Sequence, residues 1–143
     1  HHGELCPDGL AFVDDALTAL GEQPVIVATH HPWMHTGIPV MDTDNLRNGG
    51  LLLERLNTHP GPVRMLSGHV HRAMTSVVGR VVCQIGPSSC HGVLSDHRPG
   101  WDPQLMMEPG GFTVMRWHDT PTPGLISDVI PTGTFEGPYP FKD

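Results

Sequence analysis

The sequence predicts an α/β chain of the α+β sandwich kind, reading α-β-α-β through its first half and antiparallel β through its second. Three observations carry that reading. Apolar residues recur at helical spacing in two segments of the first half, and each segment is followed by a short apolar run suited to a strand. Beyond residue 74 the helical periodicity stops, and β-rich runs are separated by Gly- and Pro-containing turns. With 17 Gly, 15 Pro and 38% hydrophobic residues, the 143 residues describe one loop-rich domain and not a helical bundle.

Pro7-Asp8 opens the first helix, with Asp8 as its N-cap. Leu10, Val13, Leu17 and Leu20 form the apolar stripe, and Gly21 ends it. Residues 24–29, Pro-Val-Ile-Val-Ala-Thr, are an unbroken β-branched run. Such a run predicts a strand buried on both faces in the middle of a helix-covered sheet. It ends at His30-His31-Pro32-Trp33. Residues 36–44 read as loop, punctuated by Gly37 and Pro39. A second helix covers 46–57, with Leu52, Leu53 and Leu56 as its inner face. Gly49-Gly50 weakens its start, and Pro60 and Pro62 end it. Residues 63–67 form the next strand and deliver Ser67-Gly68-His69-Val70-His71-Arg72, where Gly68 eases a turn. The helix–strand–helix–strand order implies parallel pairing through a right-handed crossover.

Residues 75–78 and 81–85 flank Gly79-Arg80, a two-residue hairpin signal. Residues 86–110, holding His91, His97 and Trp101, form a long irregular stretch of the kind that is usually functional or a lid. Residues 112–117 and 125–130 read as an antiparallel pair, and 131–143 as a surface tail.

The formal charge of -7 disfavours nonspecific binding to nucleic acid polymers or anionic membranes. If the substrate is an anion, positive charge must come from something local, and a metal supplies it. The longest apolar runs, residues 25–28 and 51–53, are far too short to span a bilayer. The start carries no signal-peptide pattern, and His1-His2 has no functional weight. Cys6, Cys83 and Cys90 fit no disulfide framework and no Cys-x-x-Cys zinc site. Free thiols in a reducing, cytoplasmic setting are expected, with a Cys83–Cys90 bridge as the alternative.

Eleven histidines against eight Lys and Arg is the compositional outlier. A single histidine at a strand end is ordinarily a capping group. Here two successive strands each end in a histidine pair, and neighbouring parallel strands lie about 4.8 Å apart. His30, His69 and His71 can therefore reach one cleft, on one metal or split over two, with zinc, manganese or iron as suitable ions. Other templates fit less well: His-Glu-x-x-His is absent, and Arg72, Ala73 and Met74 break the His-x-His-x-Asp-His pattern.

Taken in order, Ala28-Thr29-His30-His31-Pro32-Trp33, Gly37-Ile38-Pro39-Val40-Met41-Asp42, Ser67-Gly68-His69-Val70-His71-Arg72 and Pro87-Ser88-Ser89-Cys90-His91 resemble the C-terminal half of a calcineurin-like metallophosphoesterase. The nearest branch is the class III cyclic-nucleotide and glycerophosphodiester phosphodiesterases, and the resemblance covers nearly all of residues 1–143. It implies half of a four-layer αββα fold. It implies His30 and His69 as ligands of one metal and His71 as a ligand of its partner, with His31 behind them in support of catalysis. It also implies Asp42 and Arg72 at the substrate mouth and His91 beside the substrate phosphate. Trp33 replaces a proline often found in that motif. In the full-length protein two divalent or trivalent ions (Mn, Fe or Zn) would hold a hydroxide for in-line attack on a small phosphodiester.

The family's earlier motifs, Asp-x-His, Gly-Asp-x-x-Asp and Gly-Asn-His-Asp/Glu, are missing, so a separate N-terminal half is the expected partner. The isolated chain is expected to bind one metal weakly, to show little activity and to self-associate through an uncovered sheet. A phosphomonoesterase of the same superfamily and a non-catalytic metal-binding or interaction module are the alternatives.

Overall fold

A computed structural model of the chain describes residues 2–140, so His1 and residues 141–143 of the predicted tail lie outside the described residues. Residues 132–140 are exposed and form no regular element. A four-stranded sheet organises the rest. Its strands are β1 (Val25–Thr29), β2 (Val63–Ser67), β3 (Met74–Val78) and β4 (Val81–Ile85), in the order β1-β2-β4-β3. β1 runs parallel to β2 from Val25↔Val63 to Thr29↔Ser67, and β2 runs parallel to β4. β3 returns antiparallel on β4 through Gly79, whose φ of 63° suits the predicted two-residue turn.

Alternation along the strands sends Val63, Met65, Val81, Cys83 and Ile85 to one face. There they pack with Leu52, Leu53 and Leu56 of α3 (Gly49–Thr58) and with Met34, Ile38, Leu46 and Val70. α1 (Pro7–Leu20) adds Val13 and Leu17 at the margin of this core and is tied to α3 by Asp14–Arg55 at 2.8 Å. Arg80 closes the end of α3. Its guanidinium donates to the carbonyls of His59, Pro60 and Gly61, and its N–H donates to Asn57 Oδ1.

The opposite face carries Ile26, Arg64, Leu66, Val82 and Gln84. The hairpin of β7 (Gly111–His118) and β8 (Gly124–Pro131) lies over part of it. Contact runs through a polar bridge. Arg64 donates to Gln84 Oε1 at 2.7 Å, to Ser127 Oγ and to Leu125 O, and Ser127 donates to Gln84 Oε1. Clefts of about 610 and 420 Å³ remain on either side of the bridge. Ile26, Val82, Trp117 and Leu125 line the first; Leu66, Phe112 and Met115 line the second.

Several expectations need correction. β1 is not a central strand buried on both faces: among the described residues it is an edge strand, and Ile26 is 49% exposed. A β-branched run records tolerance of burial, but neighbours decide whether burial happens. Asp8 is not the N-cap of α1. Cys6 takes that place, its sulfur accepting from Gly9 N–H, while Asp8 sits in the first turn where the helix dipole favours it. α3 begins at Gly49 and not at 46. Leu46 is held outside the helix by pairing with Gly3 and by its N–H bond to Pro32 O, and a side chain at position 49 would overlap the Trp33 ring. The stretch read as loop contains a short helix, α2 (Pro39–Thr43), with Pro39 in its first turn. The long irregular stretch contains a two-residue ladder of β5 (Gly92–Val93) with β6 (Leu105–Met106). Among the described residues no helix is long and apolar enough to cross a membrane.

The inner face of α3 should dominate stability. Leu56, 0% exposed, changed to Ala should cost about 2–5 kcal/mol in urea unfolding. Leu51→Ala on the outer face, 44% exposed, should stay within about 0.5 kcal/mol. Equal losses at the two positions would contradict this packing.

Candidate metal centre

The parallel register brings the last residues of β1 and β2, Thr29 and Ser67, side by side. The ladder continues one step further, since Gly68 N–H donates to His30 O at 3.0 Å. Two histidine-bearing loops therefore leave the C-terminal ends of neighbouring parallel strands together, where open α/β sheets gather ligands. The tight backbone predicted at Gly68 falls instead on the histidines: φ is 67° at His69 and 58° at His71. Between them Val70 is 0% exposed and packs into the core. Burying Val70 while turning both flanking side chains out accounts for the left-handed backbone, which is uncommon for residues with a Cβ.

His30, His31 and His69 converge. Their ring centroids are 4.8 Å apart for His30–His31, 5.3 Å for His30–His69 and 4.5 Å for His31–His69. One nitrogen from each lies within 4.8 Å of the others. His69 Nε2 is buried with no hydrogen-bond partner among the described residues. A buried, unpaired ring nitrogen is costly unless something satisfies it, and a cation among three imidazoles does so. An all-imidazole donor set suits zinc or iron, and manganese would need oxygen ligands in addition, so these residues fit the implied metal.

His71 faces another way. Its Nδ1 lies 3.1 Å from His91 Nε2, and His91 Nδ1 lies 3.0 Å from Cys90 Sγ. His71, Arg72, Ser88, His91 and Glu108 line a hollow of about 220 Å³. Arg72 spans it, donating to Val93 O and Glu108 Oε1, both at 2.7 Å. Asp42 is engaged with its own loop: it accepts from Thr36 N and Oγ1 at 2.8 Å and from Gly37 N at 3.0 Å. His97 pins the long 86–110 stretch to that loop, its Nδ1 lying 2.7 Å from Gly37 O. Sequence reasoning attached no such role to His97, because a contact sixty residues away leaves no local pattern. All three cysteines are free, and burial pushes the Cys83 thiol up.

Burial holds the imidazoles of His31, His69 and His71 below the ordinary histidine range, and neighbouring histidines add to it. The folded chain therefore binds fewer protons than the unfolded chain just below pH 6.5, the ordinary value. Stability from these groups is present above that pH and lost as pH falls through the lower folded values. Urea midpoints should drop on acidification from pH 7, and His69→Gln should flatten the dependence. Asp96, held at about 2 by its hydrogen bond from Arg98, titrates outside this window. A wild-type midpoint constant from pH 7 to roughly pH 5 would contradict the assignment.

No family model matches the sequence. Curated proteins do. Over 141 residues, 98% of this chain, it is 30% identical to a probable glycerophosphodiester phosphodiesterase of Arcobacter nitrofigilis. It is 33% identical over 106 residues to a probable cyclic nucleotide phosphodiesterase of Rhodopseudomonas palustris, and 31% identical over 123 residues to one of Synechococcus. The matched regions cover 51%, 39% and 47% of those proteins, so the chain spans about half the length of the curated relatives it matches. By sequence the chain is similar, over about half of their length, to proteins named glycerophosphodiester and cyclic nucleotide phosphodiesterases.

Proposed function

We propose that the chain is the C-terminal half of a metal-dependent phosphodiesterase that hydrolyses a small phosphodiester such as a cyclic nucleotide or a glycerophosphodiester. The observation that carries this reading is the convergence of histidines from two neighbouring strand ends, in a chain whose relatives are named phosphodiesterases. His30 and His69 hold one metal ion and His71 belongs to a second, with the bridging carboxylate and remaining ligands supplied by residues outside this chain. Bound there, manganese, iron or zinc would supply Lewis-acid polarisation of a phosphoryl oxygen and acidify a water molecule.

The chain's own residues position and neutralise. The contact between His71 Nδ1 and His91 Nε2 makes one nitrogen the donor and the other the acceptor, so the tautomers of the two rings are coupled and His71 Nε2 is left for a metal. His91 lines the hollow beside the Arg72 guanidinium that Glu108 holds in place, and it would meet a phosphate by exchanging its Nδ1 contact with Cys90 Sγ for one with the substrate. Asp42 shapes the mouth by fixing the turn at Thr36 and Gly37. The uncovered sheet face and the apolar edge strand β1 give a second half of the sandwich a surface to pair with.

Mixing the 143-residue chain with the N-terminal half of the Arcobacter relative tests the reading. With Mn²⁺, the chain alone should hydrolyse bis-p-nitrophenyl phosphate at background rate. The mixture should gain activity as metal content rises toward about two ions per pair. His69→Ala in the mixture should lose at least about 100-fold, since even outer partners of metal ligands are worth 10–100-fold. Full activity of the isolated chain would remove the need for a second half. A mixture preferring p-nitrophenyl phosphate would turn the assignment to a monoesterase.

A further inference from the structure

The strand-end cluster contains one histidine more than the two-metal reading uses. His31 lies closer to His69 than His30 does, with centroids at 4.5 Å against 5.3 Å. Its position is built in. The His31 carbonyl accepts from Thr29 Oγ1 at 2.9 Å, which turns the backbone immediately after β1. Its ring lies against Gly3, where a Cβ would stand only 3.0 Å from His31 Nδ1. Gly3 is held in turn by N–H donation to Asn45 O and by accepting from Arg47 N–H. His71, by contrast, is turned to His91.

We propose that His30, His31 and His69 bind one transition-metal ion through three imidazole nitrogens within this chain alone, with His31 completing the set. The inference rests on the metal-binding part of the reading above and changes its ligand list. Three nitrogens leave an open position, as in three-ligand catalytic zinc sites. Metal–nitrogen bonds of about 2.0–2.1 Å bring the three donors to roughly 3.4 Å separation in a tetrahedral site. The present separations, within 4.8 Å, must shorten by up to about 1.4 Å to reach that value. The buried His69 Nε2 gains the partner it lacks. When the other half of the protein binds, its ligands meet an ion that His30 and His69 already share, and His31 is the ligand free to yield its place.

Cobalt(II) alone is the probe. The purified chain should take up one Co²⁺ with the intense visible absorption of a low-coordinate site. His31→Ala should weaken that binding on the order of 100-fold, as His69→Ala does. A second measurement needs no variant: in ¹⁵N-imidazole spectra of wild-type chain titrated with Zn²⁺, one nitrogen each of His30, His31 and His69 should shift together. If His69→Ala abolishes cobalt binding while His31→Ala leaves it unchanged and the His31 resonance stays still, this inference is overturned and the metal reading stands. If the wild-type chain takes up no cobalt, this inference fails, while the two-metal reading, which draws ligands from outside this chain, is decided by metal content and activity in the mixture.

Discussion

The parallel register of β1 on β2 is the constraint on which the rest depends. It aligns Thr29 with Ser67, and the hydrogen bond from Gly68 to His30 carries the alignment into the loops. A slip of one residue would send Val63 and Met65 to the open face and Arg64 into the core. It would also separate the two histidine loops by one strand step. Core packing and the histidine cluster are thus two consequences of the same pairing, and neither can be adjusted without the other.

The second half of the chain is attached differently. The β7–β8 hairpin meets the sheet through Arg64, Gln84 and Ser127, with clefts on both sides of the bridge. A half-buried polar bridge with partners on three elements fixes orientation more than it adds stability. The apolar faces around it supply the surface that a covering sheet would fill. Phe112, Trp117 and Ile126 are left substantially exposed, in keeping with a chain that spans half of its relatives.

Much of this fold was legible in the residues. The β-branched run at 25–29, the Gly79-Arg80 turn and the strand at 63–67 were clear because local preference and tertiary pairing agree there. The hairpin strands proved one residue longer at each end, the usual uncertainty of ladder termini. The short α2 and the two-residue β5–β6 ladder were not legible, since elements that small take their stability from neighbours and carry no period. The exposure of Ile26 was misread for a related reason: a sequence shows what a strand can bury against, not what arrives to cover it. At the site, the histidine pairs at the two strand ends were visible, but the expectation that His71 shares one cleft with His30 and His69 was not met, since His71 turns to His91. The place of His31 in the cluster was not visible, because adjacent residues of a strand point to opposite faces. Only the turn after Thr29 brings the two rings together.

Arg80 gives the molecule a gradient of stiffness. By gathering the His59, Pro60 and Gly61 carbonyls and resting its own N–H on Asn57, it rivets the tip of the β3–β4 hairpin to the end of α3. That end of the sheet is joined to the helix by four hydrogen bonds from one residue. The opposite end carries the histidine loops, the left-handed residues and the long crossing segment clasped at Gly37. The hydrogen bonds that tie sheet to helix are thus gathered at the end opposite the histidine cluster, which leaves that cluster on loops held by fewer crossing bonds.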